Sequence, residues 1–128
     1  MTDLRLQQRK EQFQRAVQRL QEACAQPENE FIRDAVIQRF EFCFELGWKM
    51  LRLKLLEEGI EADTPRASIR QGVAAQLLGD GNQWSQMLQK RNETSHTYDE
   101  TMAREVYTYV CKSALPLFEQ LSEKSHQW

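Results

Sequence analysis

The segment that most constrains the fold runs from about Glu30 to Glu58, where the sequence has the pattern of one long helix. It contains no proline and a single glycine, and its apolar residues recur at spacings of three and four. One apolar row consists of Phe40, Phe44, Gly47 and Leu51. A second set widens the apolar face and consists of Phe42, Leu46, Trp48 and Leu53. Because a helix this apolar has to be surrounded by others, we predict the central helix of a bundle, with Gly59 as its C-cap.

One further helix is predicted before this segment and one after it. From Leu4 to Ala25 the pattern is that of an amphipathic helix. Its apolar stripe consists of Leu6, Phe13, Ala16, Val17 and Leu20. The sequence Asp63-Thr64-Pro65-Arg66 offers a capping residue followed by proline at the first helical position. A third helix is therefore predicted from Pro65 to about Leu78, before the Gly-Asp-Gly-Asn break at 79–82.

The last third of the chain predicts two more helices. A shorter fourth helix carries Trp84, Met87 and Leu88 and runs into residue 91. A final helix after Asp99 buries Met102, Val106, Tyr109 or Val110, and Ala114, and Pro116 kinks or interrupts it. The sequence shows neither strand alternation nor hairpin turns. The predicted fold class is all-α, an antiparallel bundle of four to five helices in one domain over residues 1–128.

Composition and charge exclude several classes of function. The net charge is -2 and the pI is near 5.7, so any contact with nucleic acid has to be local. No window approaches the about 18 consecutive apolar residues of a membrane span, and the N-terminus lacks the apolar core of a signal peptide. We therefore expect a cytoplasmic protein without a membrane partner. Isolated and odd in number, Cys24, Cys43 and Cys111 are expected to be reduced core residues rather than a disulfide or zinc framework.

The stretch from residue 91 to residue 100, RNETSHTYDE, contains several polar side chains that can take part in catalysis or binding. It holds one of only two histidines in the chain. Five residues along a regular helix turn through about 500°, so Arg91 and His96 would point about 140° apart. For both to serve one site, the helix has to end near Thr94 or a second copy of the chain has to complete the site. Three of the four residues from Asn92 to Ser95 have weak helix propensity, which favours an ending.

The order of these segments resembles the HEPN superfamily and, within it, the nucleotidyltransferase substrate-binding family of small helical proteins. The resemblance rests on RFEFCFELGWKML at 39–51, EEGIEADTPRASIRQG at 57–72, and the segment from Trp84 to Glu100. Arg91, His96 and Tyr98 match the R-x4-H-x-Y motif of HEPN toxins that are paired with minimal nucleotidyltransferases. The resemblance implies a two-fold homodimer with both motifs facing a shared cleft. It also implies a separate nucleotidyltransferase chain that adds AMP to Tyr98.

The residue types of the motif suit metal-independent cleavage of RNA. A histidine can take a proton from a 2′-hydroxyl while an arginine holds the phosphate, which assigns His96 and Arg91 as catalytic residues. Asn92 would orient the imidazole or the phosphate. Lys90, Arg66 and Arg70 would supply local positive potential for RNA or a partner. We expect no metal and no cofactor at this site.

Each of these residues also has a structural interpretation. An Arg/His pair at a helix end is frequently a cap, an ion pair or a dimer contact, and Arg66 and Arg70 at i, i+4 suit a solvated face. Glu41 and Glu45 suit a solvated face or helix pairing. Trp48 and Trp84 suit core or dimer packing, and we expect the dimer interface near one of them.

Three hypotheses follow. The chain is a HEPN ribonuclease toxin, a non-catalytic substrate-binding subunit that completes a split nucleotidyltransferase, or a helical interaction protein with a degenerate motif. It lacks the G-S and D-x-D signature of a nucleotidyltransferase and is not expected to be the transferase itself.

Overall fold

The computed structural model describes residues 4–96 and 99–128 and, for His96, the backbone alone. The six α-helices of this part of the chain are α1 (Leu4–Cys24), α2 (Glu30–Glu57), α3 (Pro65–Ala74), α4 (Gly81–Glu93), α5 (Glu100–Tyr109) and α6 (Leu115–Ser125). A 3-10 turn, Thr94–His96, follows α4, and a π turn, Val110–Ala114, joins α5 to α6. No strand occurs among the described residues. The predicted all-α fold is confirmed, and none of the described helices has the length and apolar character needed to cross a membrane.

Four helices begin at side-chain caps that the sequence places just before them. In α2 to α5, the residue preceding the helix accepts a hydrogen bond from a backbone N–H two or three positions later. These caps are Asn29, Thr64, Asp80 and Asp99. Each cap is worth about 1 kcal/mol, because it satisfies a backbone donor that has no partner within the helix. The predicted start of α3 at Pro65 is confirmed.

The end of α3 differs from its prediction. The helix stops at Ala74 rather than near Leu78, because Gln76 adopts a left-handed backbone with φ 63°. The N–H of Leu77 then donates to the carbonyl of Gly72 at 2.8 Å, which closes the helix end. At the end of α2 the C-cap is Glu58, one residue before the predicted Gly59, and Gly59 adopts the same left-handed conformation with φ 82°. The ending of α3 was missed because its left-handed residue is a glutamine.

α2 is the centre of the bundle, as predicted. It packs against α1 along its length and also contacts α3, α4, α5 and α6. The whole row of Phe40, Phe44, Gly47 and Leu51 is buried. The prediction for the wider apolar face is wrong at Phe42, which is 54% exposed, while the other three members are half-buried.

A cluster of aromatic rings closes the core. The ring of Phe118 in α6 lies 6.0 Å from Phe13, 6.0 Å from Phe40 and 6.1 Å from Trp84, measured between centroids. Trp84 is only 5% exposed and is therefore used inside the bundle. The core-packing interpretation of Trp84 is confirmed. Trp48 is half-buried and keeps an accessible edge, and the dimer interface stays a prediction.

The π turn between α5 and α6 accommodates Pro116 in the final helical segment. Pro116 has no N–H and cannot continue a regular α-helical ladder. The N–H of Leu115 donates to the carbonyl of Val110, so the predicted interruption takes the form of one wide turn. Of the residues predicted to be buried in this run, Val106, Val110 and Ala114 are buried, while Met102 and Tyr109 are half-buried.

All three cysteines are free, and they occupy two environments. Cys43 lies in the core, as predicted. Cys24 and Cys111 are half-buried, and their sulfur atoms lie 2.6 Å apart where α1 meets the π turn.

Candidate active site

Arg91 lies in the last turn of α4 and is held by two residues of α2. Its Nη2 atom forms an ion pair and a hydrogen bond with Oε1 of Glu45. Its guanidinium carbon lies 5.4 Å from the centroid of the Phe44 ring, within the range of a cation–π contact. The side chain is 35% exposed. The guanidinium is thus anchored on one side and accessible on the other.

Glu45 holds Arg91 in place because its carboxylate is itself held. Nε1 of Trp48 donates to Oε2 of Glu45 at 3.2 Å, and Nζ of Lys49 lies 3.8 Å from the same oxygen. One carboxylate oxygen therefore serves Arg91, and the other serves two neighbours on α2. The helix-pairing interpretation of Glu45 is confirmed. Its position in the site was missed, because nothing in the sequence relates residue 45 to residue 91.

The helix that carries Arg91 ends where the motif requires it to end. Its last residue is Glu93, and the hydroxyl of Thr94 donates to the carbonyl of Arg91 at 2.7 Å. The hydroxyl of Ser95 lies 3.4 Å from the carbonyl of Asn92, and the 3-10 turn follows. The predicted ending near Thr94 is confirmed. The angle of about 140° between Arg91 and His96 applies to a straight helix and no longer holds beyond this point.

Two residues of the predicted site fall outside the described structure. The backbone of His96 completes the 3-10 turn, but its side chain is not described. Tyr98 lies wholly outside the described residues. The roles assigned to both therefore stay predictions.

Arg66 and Arg70 lie on the same open groove as Arg91. This groove between α3 and α4 has a volume of about 830 Å³. Its polar lining includes Arg66, Arg70, Arg91 and Asn92, and none of the described Asp and Glu side chains lines it. Nη1 of Arg91 lies 3.5 Å from Oδ1 of Asn92. The structure thus brings together four of the residues predicted for the site, in a surrounding that favours an anion.

Lys90 faces the other side of α4. Its Nζ atom lies 3.3 Å from Oε2 of Glu93 and 5.9 Å from the centroid of the Tyr109 ring. Burial raises the pKa of Tyr109 to about 12, and its hydroxyl has no hydrogen-bond partner among the described residues. The charge of Lys90 is thus partly neutralised, and Lys90 does not line the groove that contains Arg91.

The arrangement suits the binding of phosphate by side chains. Three arginines along one groove provide donors for the oxygens of a phosphate, and Arg91, the one anchored by Glu45, loses little freedom on binding. Within the described ranges, no three His, Cys, Asp or Glu side chains lie close enough to hold a metal ion.

Comparison with known proteins places this geometry in a family. The family model for nucleotidyltransferase substrate binding protein like chains matches residues 8–127. A curated relative from Haemophilus influenzae, called probable ribonuclease HepT, is 35% identical over 98 residues. That match covers 70% of this chain and 66% of the relative.

Solved structures share the fold over nearly the whole chain. A protein of Thermus thermophilus is 34% identical, with a TM-score of 0.76 over 90% of this chain and 96% of that one. A Shewanella oneidensis HEPN toxin, tri-AMPylated and in complex with MNT antitoxin, is 16% identical, with a TM-score of 0.79 over 99% and 100% of the two chains. The chain therefore belongs to the nucleotidyltransferase substrate binding protein like family and has the fold of a HEPN toxin.

Proposed function

We propose that this protein is the toxin of a two-component toxin-antitoxin pair and acts as a metal-independent endoribonuclease in the cytoplasm. The observation that carries this proposal is the anchoring of Arg91 by Glu45 at the end of α4, five residues before His96 and on a groove with two further arginines. The relative called probable ribonuclease HepT supports the same activity.

In the proposed reaction, His96 takes the proton from an RNA 2′-hydroxyl. The 2′-oxygen then attacks the adjacent phosphorus, and the bond from phosphorus to the 5′-oxygen breaks. Arg91 stabilises the negative charge that builds on the non-bridging oxygens, and Asn92 orients the phosphate or the imidazole. The leaving 5′-oxygen receives a proton, so the products carry a 2′,3′-cyclic phosphate and a 5′-hydroxyl.

The proton for the leaving oxygen comes from a second copy of the chain in this proposal. A two-fold homodimer would place the two 91–98 segments across one cleft, with one His96 acting as base and the other as acid. The accessible edge of Trp48 supports an interface on that side of α2, since the indole lies beside the carboxylate that anchors Arg91.

A separate nucleotidyltransferase would inactivate the toxin by adding AMP to Tyr98. The tri-AMPylated state of the Shewanella HEPN toxin in complex with MNT antitoxin supports this partner and this modification. The physical effect resembles that of phosphorylation. An anionic group two residues after His96 would pair with an arginine such as Arg91 and exclude the phosphate of RNA.

The alternative is a non-catalytic subunit that completes a split nucleotidyltransferase. The observation that favours it is the ion pair itself, because Glu45 neutralises part of the charge that Arg91 would offer to a phosphate. In that case the groove between α3 and α4 would hold the substrate of the partner enzyme.

Cleavage in the presence of a chelator separates the two. The purified protein is incubated with single-stranded RNA and EDTA, and the product ends are identified by mass spectrometry. We expect 2′,3′-cyclic phosphate ends, and a loss of at least about 100-fold in rate for both Arg91→Ala and His96→Ala. Arg104→Ala, at an exposed arginine outside the groove, serves as control. Activity that survives both motif substitutions, or that requires a metal ion, refutes the proposed mechanism.

A further inference from the structure

A second strongly charged surface lies on the outer side of α1 and α2. Two depressions there share Gln12 and have volumes of about 450 Å³ and 330 Å³. The first is lined by the cations Arg5, Arg9, Lys49 and Arg52, and the second by Arg15, Arg19 and Arg39. In the part of the chain that the structure describes, no Asp or Glu side chain lines either depression. We refer to the two depressions together as the basic groove.

The basic groove arises from helical spacing. On α1, the residues that line it follow one another at intervals of one or three positions, from Arg5 to Arg19. With a rise of 1.5 Å per residue, this stripe is about 21 Å long. A chain of net charge -2 thus concentrates seven of its 17 Lys and Arg residues on one strip of surface.

Most of this charge is not neutralised within the chain. Within the described residues, Arg9, Arg15, Arg19 and Arg39 form no ion pair with a carboxylate. Nη1 of Arg39 donates to the backbone carbonyl of Arg19 at 2.7 Å, which holds its cation over the groove without cancelling the charge. Closely spaced cations repel one another, and a bound polyanion relieves that repulsion.

The groove also contains an exposed aromatic ring. Phe42 is 54% exposed and lies in the second depression, beside Leu46. An aromatic face among arginines is the combination that binds single-stranded nucleic acid, because the bases stack on the ring while the cations hold the phosphates. Elsewhere on α2 the exposed Phe31 has no such surroundings, since it lines neither depression.

The basic groove is linked to the candidate active site through one residue of its lining. Lys49 lines the first depression, and its Nζ atom lies 3.8 Å from Glu45, which anchors Arg91. We propose that the basic groove binds single-stranded RNA, with phosphates on its arginines and a base on Phe42, and leads the strand toward Arg91. This inference rests on the proposed function and adds the surface that holds the substrate beyond the cleavage point.

The lining favours RNA over an acidic helix of a protein partner. A helix bound in a groove requires apolar contacts at positions i, i+3 or i+4, and i+7. Among the described residues, the first depression offers Leu53 as its only apolar one, and the rest of its lining carries charged or amide groups. The first depression therefore binds a backbone of repeated negative charges more readily than an amphipathic helix, whereas the second adds the apolar residues Ala16, Ala35, Phe42 and Leu46 beside its three arginines.

The test measures binding separately from cleavage. Fluorescence anisotropy is recorded with a labelled 2′-O-methyl RNA oligonucleotide, which lacks the attacking hydroxyl and is not cut by the proposed mechanism. Arg15→Glu/Arg19→Glu is compared with Arg104→Glu/Lys112→Glu, which changes the net charge equally at exposed positions outside the groove. We expect Kd to rise at least about tenfold for the first pair alone. We also expect the slope of log Kd against log salt to fall by about 1.4, because two phosphate contacts are lost.

A second comparison tests the aromatic ring. Phe42→Ala is expected to weaken binding about tenfold, whereas Phe31→Ala leaves it unchanged. Circular dichroism melts establish that each variant is folded, and Arg15→Gln and Arg19→Gln replace the charge reversals if those unfold the protein.

Unchanged affinity in the groove variants overturns the inference. So does a loss of dimer or of the nucleotidyltransferase complex with RNA binding intact, because the groove would then be a protein interface. A wild-type protein that binds through the groove but never cleaves natural RNA refutes the proposed function and leaves this inference standing.

Discussion

Arg91 near the end of α4 and Glu45 in the middle of α2 form an ion pair, although the two residues lie 46 positions apart in sequence. Both side chains are about one-third exposed. Because solvent screens such a pair, its contribution to stability is at most about 1 kcal/mol. Its main consequence is to hold the guanidinium in one orientation over the groove between α3 and α4.

Glu45→Gln is therefore expected to affect activity more than stability. The free energy of unfolding, from urea titration, should fall by at most about 1 kcal/mol. The rate of RNA cleavage should fall at least about tenfold, because Arg91 no longer has a fixed position. Glu41→Gln, one turn away on the same helix, is the control and should change neither. If Glu45→Gln loses activity only to the extent that it unfolds, Glu45 has no separate positioning role.

Trp48→Glu is expected to convert the proposed dimer to a monomer. The half-buried indole lies beside the Arg91 site, and a charge there would be buried without a partner in a symmetric interface. Light scattering at micromolar concentration measures the mass in solution. Phe31→Glu, at the exposed start of α2, should keep the wild-type mass. A wild-type chain that is monomeric at high micromolar concentration contradicts the dimer.

Tyr98→Phe is expected to abolish modification by the nucleotidyltransferase partner. Co-expression of the wild-type chain with an active transferase should add whole AMP units, which intact-mass measurement detects. The additions should disappear in Tyr98→Phe and persist in Tyr107→Phe, because Tyr107 lies on α5 and is not part of the R-x4-H-x-Y motif. An unmodified wild-type chain beside an active transferase would favour the binding-subunit alternative.

Gln76→Gly is expected to stabilise the protein by about 0.5–1 kcal/mol. Gln76 has φ 63°, a left-handed conformation that carries a steric cost for residues with a Cβ atom. The midpoint of urea unfolding should therefore rise. Gln86→Gly, at an exposed position inside α4, should lower it by about 1 kcal/mol, since glycine weakens a helix interior. If both glycine variants lower the urea midpoint equally, the left-handed conformation assigned to Gln76 is refuted.

Cys111 is expected to be the most reactive thiol of the folded protein. Hydrogen bonding with Cys24, and to a lesser extent with Tyr107, lowers the pKa of Cys111 below its ordinary value of 9.0. Burial raises the pKa of Cys43 to about 12. Because the thiolate is the reactive form, alkylation of Cys111 should reach half its maximal rate at a lower pH than alkylation of a free thiol. Mass spectrometry of iodoacetamide-treated protein at several pH values measures this, and Tyr107→Phe should move the curve to higher pH. Preferential labelling of Cys43 would contradict the assignment.

The sequence by itself determined the helices and the position of the motif. Side-chain caps such as Thr64 and Asp99, and apolar residues at spacings of three and four, act within one or two turns of the chain. The weak helix propensity after Asn92 acts over the same short range, and the end of α4 near Thr94 was predicted for that reason. Local interactions of this kind are present in the sequence before any tertiary contact forms.

The tertiary structure alone decided which distant residues meet. The pairing of Glu45 with Arg91, the burial of Trp84 against Phe118 and the left-handed Gln76 depend on how the helices rotate and pack against one another. The basic groove belongs with them, because its cations are distributed over two helices and become one surface only when α1 lies against α2. The spacing of apolar residues predicts which face of a helix is apolar. Which neighbouring helix covers that face depends on the packing of the whole bundle.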